Sequence, residues 1–147
     1  MSIWWSLHLR REAASVPLAR RLLLGTMETA GVDPDISFDL SVALSEACAN
    51  AVEHGGRSDL PHETEAYRVT AYLDGDRCRI EVSDSGPGFP AATVARRRPS
   101  LAESGRGLRL IAELADHVRF RNRPGRGAVV SFDKILKWRD DALLKVS

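Results

Sequence analysis

The sequence of 147 residues lacks several features that would place it in a specialised class of protein. It has only two cysteines, Cys48 and Cys78, each inside an apolar periodic segment, so we expect reduced core thiols rather than a disulfide framework. No apolar run approaches the roughly 20 residues that a membrane span needs. The apolar segment 1–5 is followed at once by charged residues and lacks the cleavage site of a secretory signal. We therefore expect a cytoplasmic protein with no membrane partner.

A strong excess of charge of either sign is also missing, because the formal net charge is +1. The charge is nevertheless uneven along the chain. Residues 1–91 hold 8 arginines and 14 acidic residues, whereas residues 92–139 hold 12 basic and 4 acidic residues. Nucleic-acid binding usually shows as a basic excess over a whole domain, so we expect no direct nucleic-acid partner. A basic portion of this size favours a local anionic ligand, such as a phosphate chain.

What is present is an ordinary globular composition, 44% hydrophobic and 28% charged, in a chain long enough for one core. We predict an N-cap at Ser15, a helix stop at Gly31 and a tight turn at Asp74-Gly75. The hydrophobic pattern alternates as in strands over 3–9, 67–73, 78–82, 118–120 and 130–132, and keeps a helical spacing over 16–30, 34–54 and 108–115. Hairpins that follow helices predict an α+β two-layer sandwich, with a mixed, mainly antiparallel sheet and helices on one face. We expect one domain over 1–147, with its core over about 3–133 and a tail, 134–147, of one or two helical turns.

The predicted second helix carries a polar stripe, since Glu46, Asn50 and His54 follow one another at a spacing of four residues. Apolar residues flank this stripe, which places it close to buried surface. A carboxylate there can act as a general base, and an amide oxygen can complete the shell of a Mg²⁺ that also takes waters and phosphates. A solvated helix face with an incidental asparagine is the alternative interpretation.

A second motif, Asp84-Ser-Gly86-Pro-Gly88-Phe89, directly follows a predicted strand. Its glycines expose the backbone to an approaching ligand, and Asp84 places beside them an acceptor that suits an exocyclic amine. The same residues also form a common type of turn. Alone, this motif predicts an acceptor at a strand end and no particular ligand.

A third motif, Ser104-Gly105-Arg106-Gly107-Leu108, leads into the third predicted helix. Glycines at a helix start present free N–H groups and the positive end of the helix dipole, which suits phosphates. The motif is not a Walker loop, because no Lys-Ser or Lys-Thr follows its glycines. It is not the dinucleotide fingerprint either, because the third glycine and the surrounding βαβ unit are missing.

In order and separation, the three motifs resemble the three ATP boxes of the GHKL superfamily, which includes DNA gyrase, heat-shock chaperones, histidine kinases and MutL repair proteins. Within it, the sequence is most similar to the small stand-alone bacterial anti-sigma factors that are also serine kinases. The string SEACANAVEHG, the opening ASVPLARRLL and a short lid carry this resemblance over about residues 3–133. The resemblance implies the Bergerat ATP-binding fold and the use of ATP with Mg²⁺. It also implies phosphorylation of a serine on an anti-anti-sigma (STAS-type) partner and sequestration of a sigma factor.

The resemblance further implies a role for each motif residue. Glu46 resembles the general base, and Asn50 resembles the magnesium ligand. Asp84 accepts from the adenine amino group, while Gly86 and Gly88 allow close backbone approach. The residues implied at the phosphates are Ser104, Gly105, Arg106, Gly107 and Leu108, with His54 within reach. Residues 89–104 are implied to form the ATP lid, in which Arg96, Arg97 and Arg98 either add phosphate contacts or form a solvated basic loop.

Two departures from the family pattern concern phosphotransfer. The family often has Gly-Thr at the start of its last strand, where the hydroxyl supports the adenine-binding aspartate, whereas this chain has Gly127-Ala128. The lid position before Ser-Gly is often basic, and here it is Glu103. An ATP-binding partner-switching module without phosphotransfer therefore stays open beside the kinase. A histidine-kinase catalytic domain is disfavoured, because no predicted helix pair is left over to carry a phosphoacceptor.

The first predicted strand also suggests self-association. Its alternation places Ile3 and Trp5 on one face and Trp4 on the other. A terminal strand is commonly an edge strand, and an exposed edge with an aromatic residue favours pairing. The resemblance implies a homodimer joined through this N-terminal region. The alternative is that the strand only covers the core while Trp4 lies on a solvated face.

Overall fold

The computed structural model describes residues 2–56, 66–89, 108–123 and 127–140. The elements, in chain order, are β1 (Ser2–Arg10), α1 (Ser15–Ala30), α2 (Pro34–His54), β2 (Ala66–Asp74), β3 (Arg77–Asp84), α3 (Leu108–Leu114), β4 (His117–Asn122) and β5 (Ala128–Ile135). The five strands form one sheet in the order β1-β2-β3-β5-β4. All four pairings between these strands are antiparallel, so this part of the sheet is more uniform than the mixed sheet expected. The predicted α+β class is confirmed.

Strand β1 shows the predicted alternation and forms one edge of the sheet. Ile3 and Trp5 are half-buried, whereas Trp4 is exposed on the opposite face. The indole Nε1 of Trp5 donates a hydrogen bond of 3.1 Å to Oγ1 of Thr26, which ties β1 to α1. The inner face of the sheet thus packs against the helices, and this contact begins at the first strand.

The start of α1 differs from the prediction. Ser15 is the first helical residue rather than the N-cap, because Ala14 before it already has helical angles. The Ser15 hydroxyl donates to the carbonyl of Glu12 (2.7 Å) and shares a hydrogen bond of 2.6 Å with the hydroxyl of Tyr67. The hydroxyl that the local pattern predicts to cap the helix therefore bonds to Tyr67 on β2. The stop at Gly31 is confirmed, since this residue has a left-handed φ of 89°.

The core lies between the sheet and helices α1 and α2. Its fully buried large side chains include Tyr67, Phe120, Phe132, Leu23, Met27, Leu40, Leu44, Ile80, Leu108 and Ile111. The thiols of Cys48 and Cys78 are both free and buried, as predicted. Burial raises the pKa of each thiol to about 12, so both stay protonated near neutral pH. These cysteines therefore fill space in the core and supply no nucleophile.

The segment after β5 is extended rather than helical over its described part. Trp138 forms an isolated antiparallel bridge with Val32, and the amide of Arg139 donates to the carbonyl of Gly31 at 2.8 Å. The prediction of helical turns is therefore wrong up to residue 140. Backbone hydrogen bonds to the α1–α2 connection pair this segment as in a strand instead. Residues 141–147 lie outside the described part. Within the described ranges, no helix is both long and apolar enough to cross a membrane.

Candidate functional site

Helix α2 brings Glu46 and Asn50 to one face, one turn apart. Asn50 is buried, with 9% of its surface exposed, and Glu46 is half-buried. Among the residues that the structure describes, the side-chain nitrogen Nδ2 of Asn50 has no hydrogen-bond partner. Buried amides are normally paired, so an unpaired one calls for an explanation such as a ligand or water. The burial of Asn50 argues against the interpretation of this stripe as a solvated face.

The second motif forms a tight turn at the end of β3. Asp84 is buried, and its Oδ1 accepts a hydrogen bond of 2.8 Å from the amide of Gly86. Two residues further on, Gly88 has a φ of +88°, a left-handed conformation that L side chains rarely adopt. One oxygen of the carboxylate is thereby held against its own loop, which fixes where the group points.

Two glycines bring this turn into direct contact with the end of α2. A Cβ added at Gly86 would lie 2.6 Å from the carbonyl oxygen of His54 and 2.8 Å from Cα of Gly55. A Cβ added at Gly55 would lie 2.8 Å from both Cβ and Cγ of Asp84. Neither position has room for a side chain. The helix that carries Asn50 and the turn that carries Asp84 therefore meet backbone to backbone.

Two residues that the motif analysis missed hold the turn from the other side. The side-chain amide of Asn122 accepts from the Phe89 amide at 2.7 Å and donates to the Phe89 carbonyl at 3.0 Å. Nη2 of Arg123 donates to the carbonyl of Asp84 at 2.9 Å. Both residues lie at the end of β4, 33 to 39 residues after the groups that they bind. No periodic pattern or motif in the sequence indicates them. Together they fix the turn against the sheet.

Ala128 lies directly opposite Asp84 in the ladder between β3 and β5. Side chains of directly opposite residues share a face, with Cβ atoms about 4.5–5.5 Å apart. The residue is 3% exposed, so a methyl group occupies the place beside the carboxylate. The departure from the family pattern at this position therefore falls beside the proposed ligand contact, as the resemblance implies.

The remaining predicted site residues are placed unequally. His54 is exposed at the end of α2, where its Nε2 lies 3.5 Å from Oε2 of Glu53. Leu108 is buried and begins α3. Ser104, Gly105, Arg106 and Gly107, together with Glu103 and Arg96 to Arg98, lie outside the described residues. Among the described residues, no group of three histidine, cysteine or acidic side chains is arranged to hold a metal.

Comparison with known proteins agrees with this geometry. Residues 9–134 match the family model of the histidine kinase-like ATPase domain. The serine-protein kinase RsbW of Bacillus licheniformis is 34% identical over 134 residues, a match that covers 82% of this chain and 78% of that protein. RsbW of Bacillus subtilis (strain 168) is 33% identical over 123 residues, covering 75% of this chain and 72% of that protein.

A solved structure is also similar. The RsbU and RsbW domains of Rv1364c from Mycobacterium tuberculosis superpose with a TM-score of 0.63 at 25% identity. The match covers 90% of this chain and 32% of that chain, so this chain spans about a third of that longer protein. The similarity extends over nearly the whole fold described above.

Proposed function

We propose, on the premise that this chain belongs to the histidine kinase-like ATPase family, that it is an ATP-dependent serine kinase acting as an anti-sigma regulator. In the cytoplasm it phosphorylates a serine on an anti-anti-sigma partner and sequesters a sigma factor. The serine-protein kinases named RsbW that it resembles support this class of enzyme. The observation that carries the proposal is the glycine contact that joins the buried Asn50 helix to the Asp84 turn.

The residues present fit a magnesium ion. Asn50 offers a buried carboxamide whose nitrogen has no partner in the described ranges, and carboxamide oxygen is a ligand that Mg²⁺ accepts. Asn50 would hold the ion, and when bound the ion would neutralise charge on the phosphates. Asn50 would be one protein ligand of the ion, and waters and ATP oxygens would complete its shell.

Glu46 lies one turn before Asn50 on the same face, which suits a general base at the phosphate end of the nucleotide. Its carboxylate takes the proton of the substrate serine hydroxyl. The serine oxygen then bonds to the γ-phosphorus of ATP, and the bond to the bridging oxygen breaks. ADP leaves with that electron pair.

Asp84 selects the base of the nucleotide. Its carboxylate is buried and oriented by the amide of Gly86. An ionised carboxylate has about four lone-pair sites, so accepting from Gly86 is compatible with accepting from the adenine amino group. Gly86 and Gly88 remain our candidates for close backbone approach to the base. Ser104 to Leu108 and His54 remain our candidates for contacts with the phosphates.

The alternative function is an ATP-binding partner-switching module without phosphotransfer. The observation that favours it is the methyl group of Ala128 opposite Asp84, where a hydroxyl would support the carboxylate. The two functions predict the same nucleotide site and differ only in the transfer step.

Incubation with γ-labelled ATP and candidate anti-anti-sigma proteins separates the two. We expect the wild type to label a serine on a partner. Glu46→Gln should label it about 10²–10⁴ times more slowly while still binding ATP. Glu28→Gln, at an exposed position on α1, is the matched control and should label at the wild-type rate. ATP binding by the wild type without transfer to any of the partners would favour the switching module.

A homodimer through β1 is part of the proposal. Trp4 is 66% exposed on the edge strand and stacks on Tyr72, with ring centroids 6.4 Å apart and Tyr72 itself 41% exposed. A symmetric pair across this edge would bury the same aromatic surface on both subunits. Trp4→Glu should shift the sedimenting species from dimer to monomer and keep ATP affinity. A wild type that sediments as a monomer at a protein concentration of about 10⁻⁵ M would contradict the dimer.

A further inference from the structure

Arg11, the residue that follows β1, is a buried arginine with no carboxylate partner among the described residues. It is 7% exposed, and none of the ion pairs among the described residues includes it. A buried charge is costly unless polar groups compensate it, so its partners must be other than acidic side chains. The charged run Arg10-Arg11-Glu12 shows nothing of this burial in the sequence.

The partners of Arg11 are main-chain carbonyls at the end of α2. Its Nε donates to the carbonyl of Ala51 at 2.9 Å, and its Nη2 donates to the carbonyl of Val52 at 2.5 Å. Both carbonyls belong to the last turn of the helix. A cation is also favoured there by the negative end of the helix dipole. Arg11 thus caps α2 from a distant part of the chain.

The two glycines that follow α2 make different contacts, Gly56 with Arg11 and Gly55 with Asp84. Gly56 passes so close to the guanidinium of Arg11 that a Cβ at this position would overlap it. Gly55 lies against the side chain of Asp84, and its amide donates to the same Ala51 carbonyl at 3.0 Å. One carbonyl therefore accepts from both Arg11 and the residue that contacts Asp84. The path from Arg11 to Asp84 runs through a single helix turn.

We propose that Arg11 is a positioning residue of the nucleotide site. It fixes the last turn of α2 and so holds Asn50 and Asp84 at their mutual spacing. This inference rests on the proposed function, because it gives Arg11 its role through ATP binding. Arg11 does not contact the nucleotide itself.

The consequence is a specific loss when the two donors are removed. Arg11→Met keeps an unbranched apolar stem but leaves the carbonyls of Ala51 and Val52 without this cap, so the last turn opens more often. Arg11→Lys keeps the charge on one ammonium group, which cannot reproduce the planar fork. We expect Arg11→Met to weaken Mg-ATP binding about tenfold or more and Arg11→Lys to fall between it and the wild type.

Two measurements on full-length protein test the proposal: amide exchange of Gly55 by NMR and Mg-ATP affinity by calorimetry. We expect Arg11→Met to raise both the exchange rate of Gly55 and the Kd for Mg-ATP about tenfold. Arg10→Met, at the neighbouring position, is the matched control. The side chain of Arg10 is 76% exposed, and its Nη1 lies 3.9 Å from Oε1 of Glu12. That variant should leave both values at the wild-type level.

The outcomes separate this proposal from the proposed function. Faster Gly55 exchange with unchanged ATP affinity would overturn it, since Arg11 would then be structural only. Unchanged exchange in Arg11→Met would overturn it as well. A wild type that binds no Mg-ATP would contradict the proposed function itself. Should Arg11→Met fail to fold, a well-folded Arg11→Lys with wild-type exchange and affinity would still refute the positioning role.

Discussion

The two ends of helix α2 are held in different ways. At the N-terminal end, the carboxylate of Asp33 accepts from the Asp35 amide at 2.8 Å and Pro34 occupies the first helical position. Both interactions lie within three consecutive residues. At the C-terminal end, contacts come from Arg11, about 40 residues earlier, and from Gly86, about 30 residues later. The cap of the first end is local, although the amide of Asp33 also donates to the carbonyl of Lys137 at 2.7 Å. The second end is capped and packed by residues that are distant in the sequence.

This difference follows the placement of the candidate site. The unpaired amide of Asn50 and the contact with Asp84 both belong to the C-terminal half of α2. A local cap determines only where a helix begins, whereas contacts with β1 and β3 determine where its side chains lie relative to a ligand. Substitutions at the C-terminal end should therefore change binding, and substitutions at the N-terminal end should change stability alone.

The largest effect is expected at Gly86. In Gly86→Ala the new Cβ would lie 2.6 Å from the His54 carbonyl, so the turn and the helix must separate. We expect a loss of about 1–3 kcal/mol in the free energy of unfolding, together with loss of measurable Mg-ATP binding. Gly25→Ala is the matched control, because nothing lies within 4 Å of its added Cβ inside α1. Urea denaturation should show that this control is more stable than the wild type, by about 0.5–1 kcal/mol. Normal ATP binding by Gly86→Ala would show that the contact does not position the site.

Asn50→Ala is expected to weaken Mg-ATP binding at least tenfold while the fold is kept. Nδ2 has no partner within the described part of the chain, so we expect the fold to tolerate loss of this group. Calorimetry with Mg-ATP gives the affinity, and circular dichroism checks the fold. Ser45→Ala is the control on the same helix, since the Ser45 hydroxyl donates to the Ser41 carbonyl one turn earlier and accepts from Nη1 of Arg20 at 3.4 Å, away from the proposed metal contact. An unchanged affinity in Asn50→Ala would remove the magnesium role.

Base selection by Asp84 is expected to have an effect of about tenfold. A hydrogen bond that involves a charged group contributes about 1.5–3 kcal/mol, so the wild type should prefer ATP to GTP by about tenfold or more. Asp84→Asn should reduce that preference. Asp74→Asn, at the exposed end of β2, should leave it intact. Competition binding with both nucleotides measures the ratio, and equal binding by the wild type would contradict the assignment.

The same contrast explains what sequence could predict. The strand alternation of β1, the start of α2 at residue 34 and the stop at Gly31 depend on residues close together in the chain, and all three occur in the structure. The N-cap prediction at Ser15 was wrong because Ala14 before it is already helical, and the Ser15 hydroxyl bonds to the Glu12 carbonyl and to Tyr67, 52 residues away. Arg11 belongs to the same class, since only the fold shows what it contacts.

The candidate site was predictable to a similar extent. Its motifs indicated Asn50 and Asp84 because the residue types themselves supply an amide and a carboxylate. The sequence did not predict the contact between the helix of Asn50 and the turn of Asp84, because that contact depends on the absence of side chains at Gly55 and Gly86. Asn122, which holds Phe89 by two hydrogen bonds, has no pattern around it that would distinguish it from a polar surface residue. Sequence motifs thus name the groups that contact a ligand more readily than those that position them.

The smallest effect is expected at the N-terminal end of α2. Asp33→Ala removes the hydrogen bond to the Asp35 amide, and loss of such a cap costs about 1 kcal/mol in the free energy of unfolding. Asn50 lies 17 residues further along the helix, about 25 Å away at 1.5 Å per residue, so Mg-ATP affinity should stay within about twofold of the wild type. Asp33→Asn keeps a capping oxygen and should recover most of the lost stability. Urea denaturation and calorimetry on the same samples test both halves of the expectation. A parallel fall in affinity would show that the two ends of α2 act as one unit, because the local cap would then be positioning the site as well.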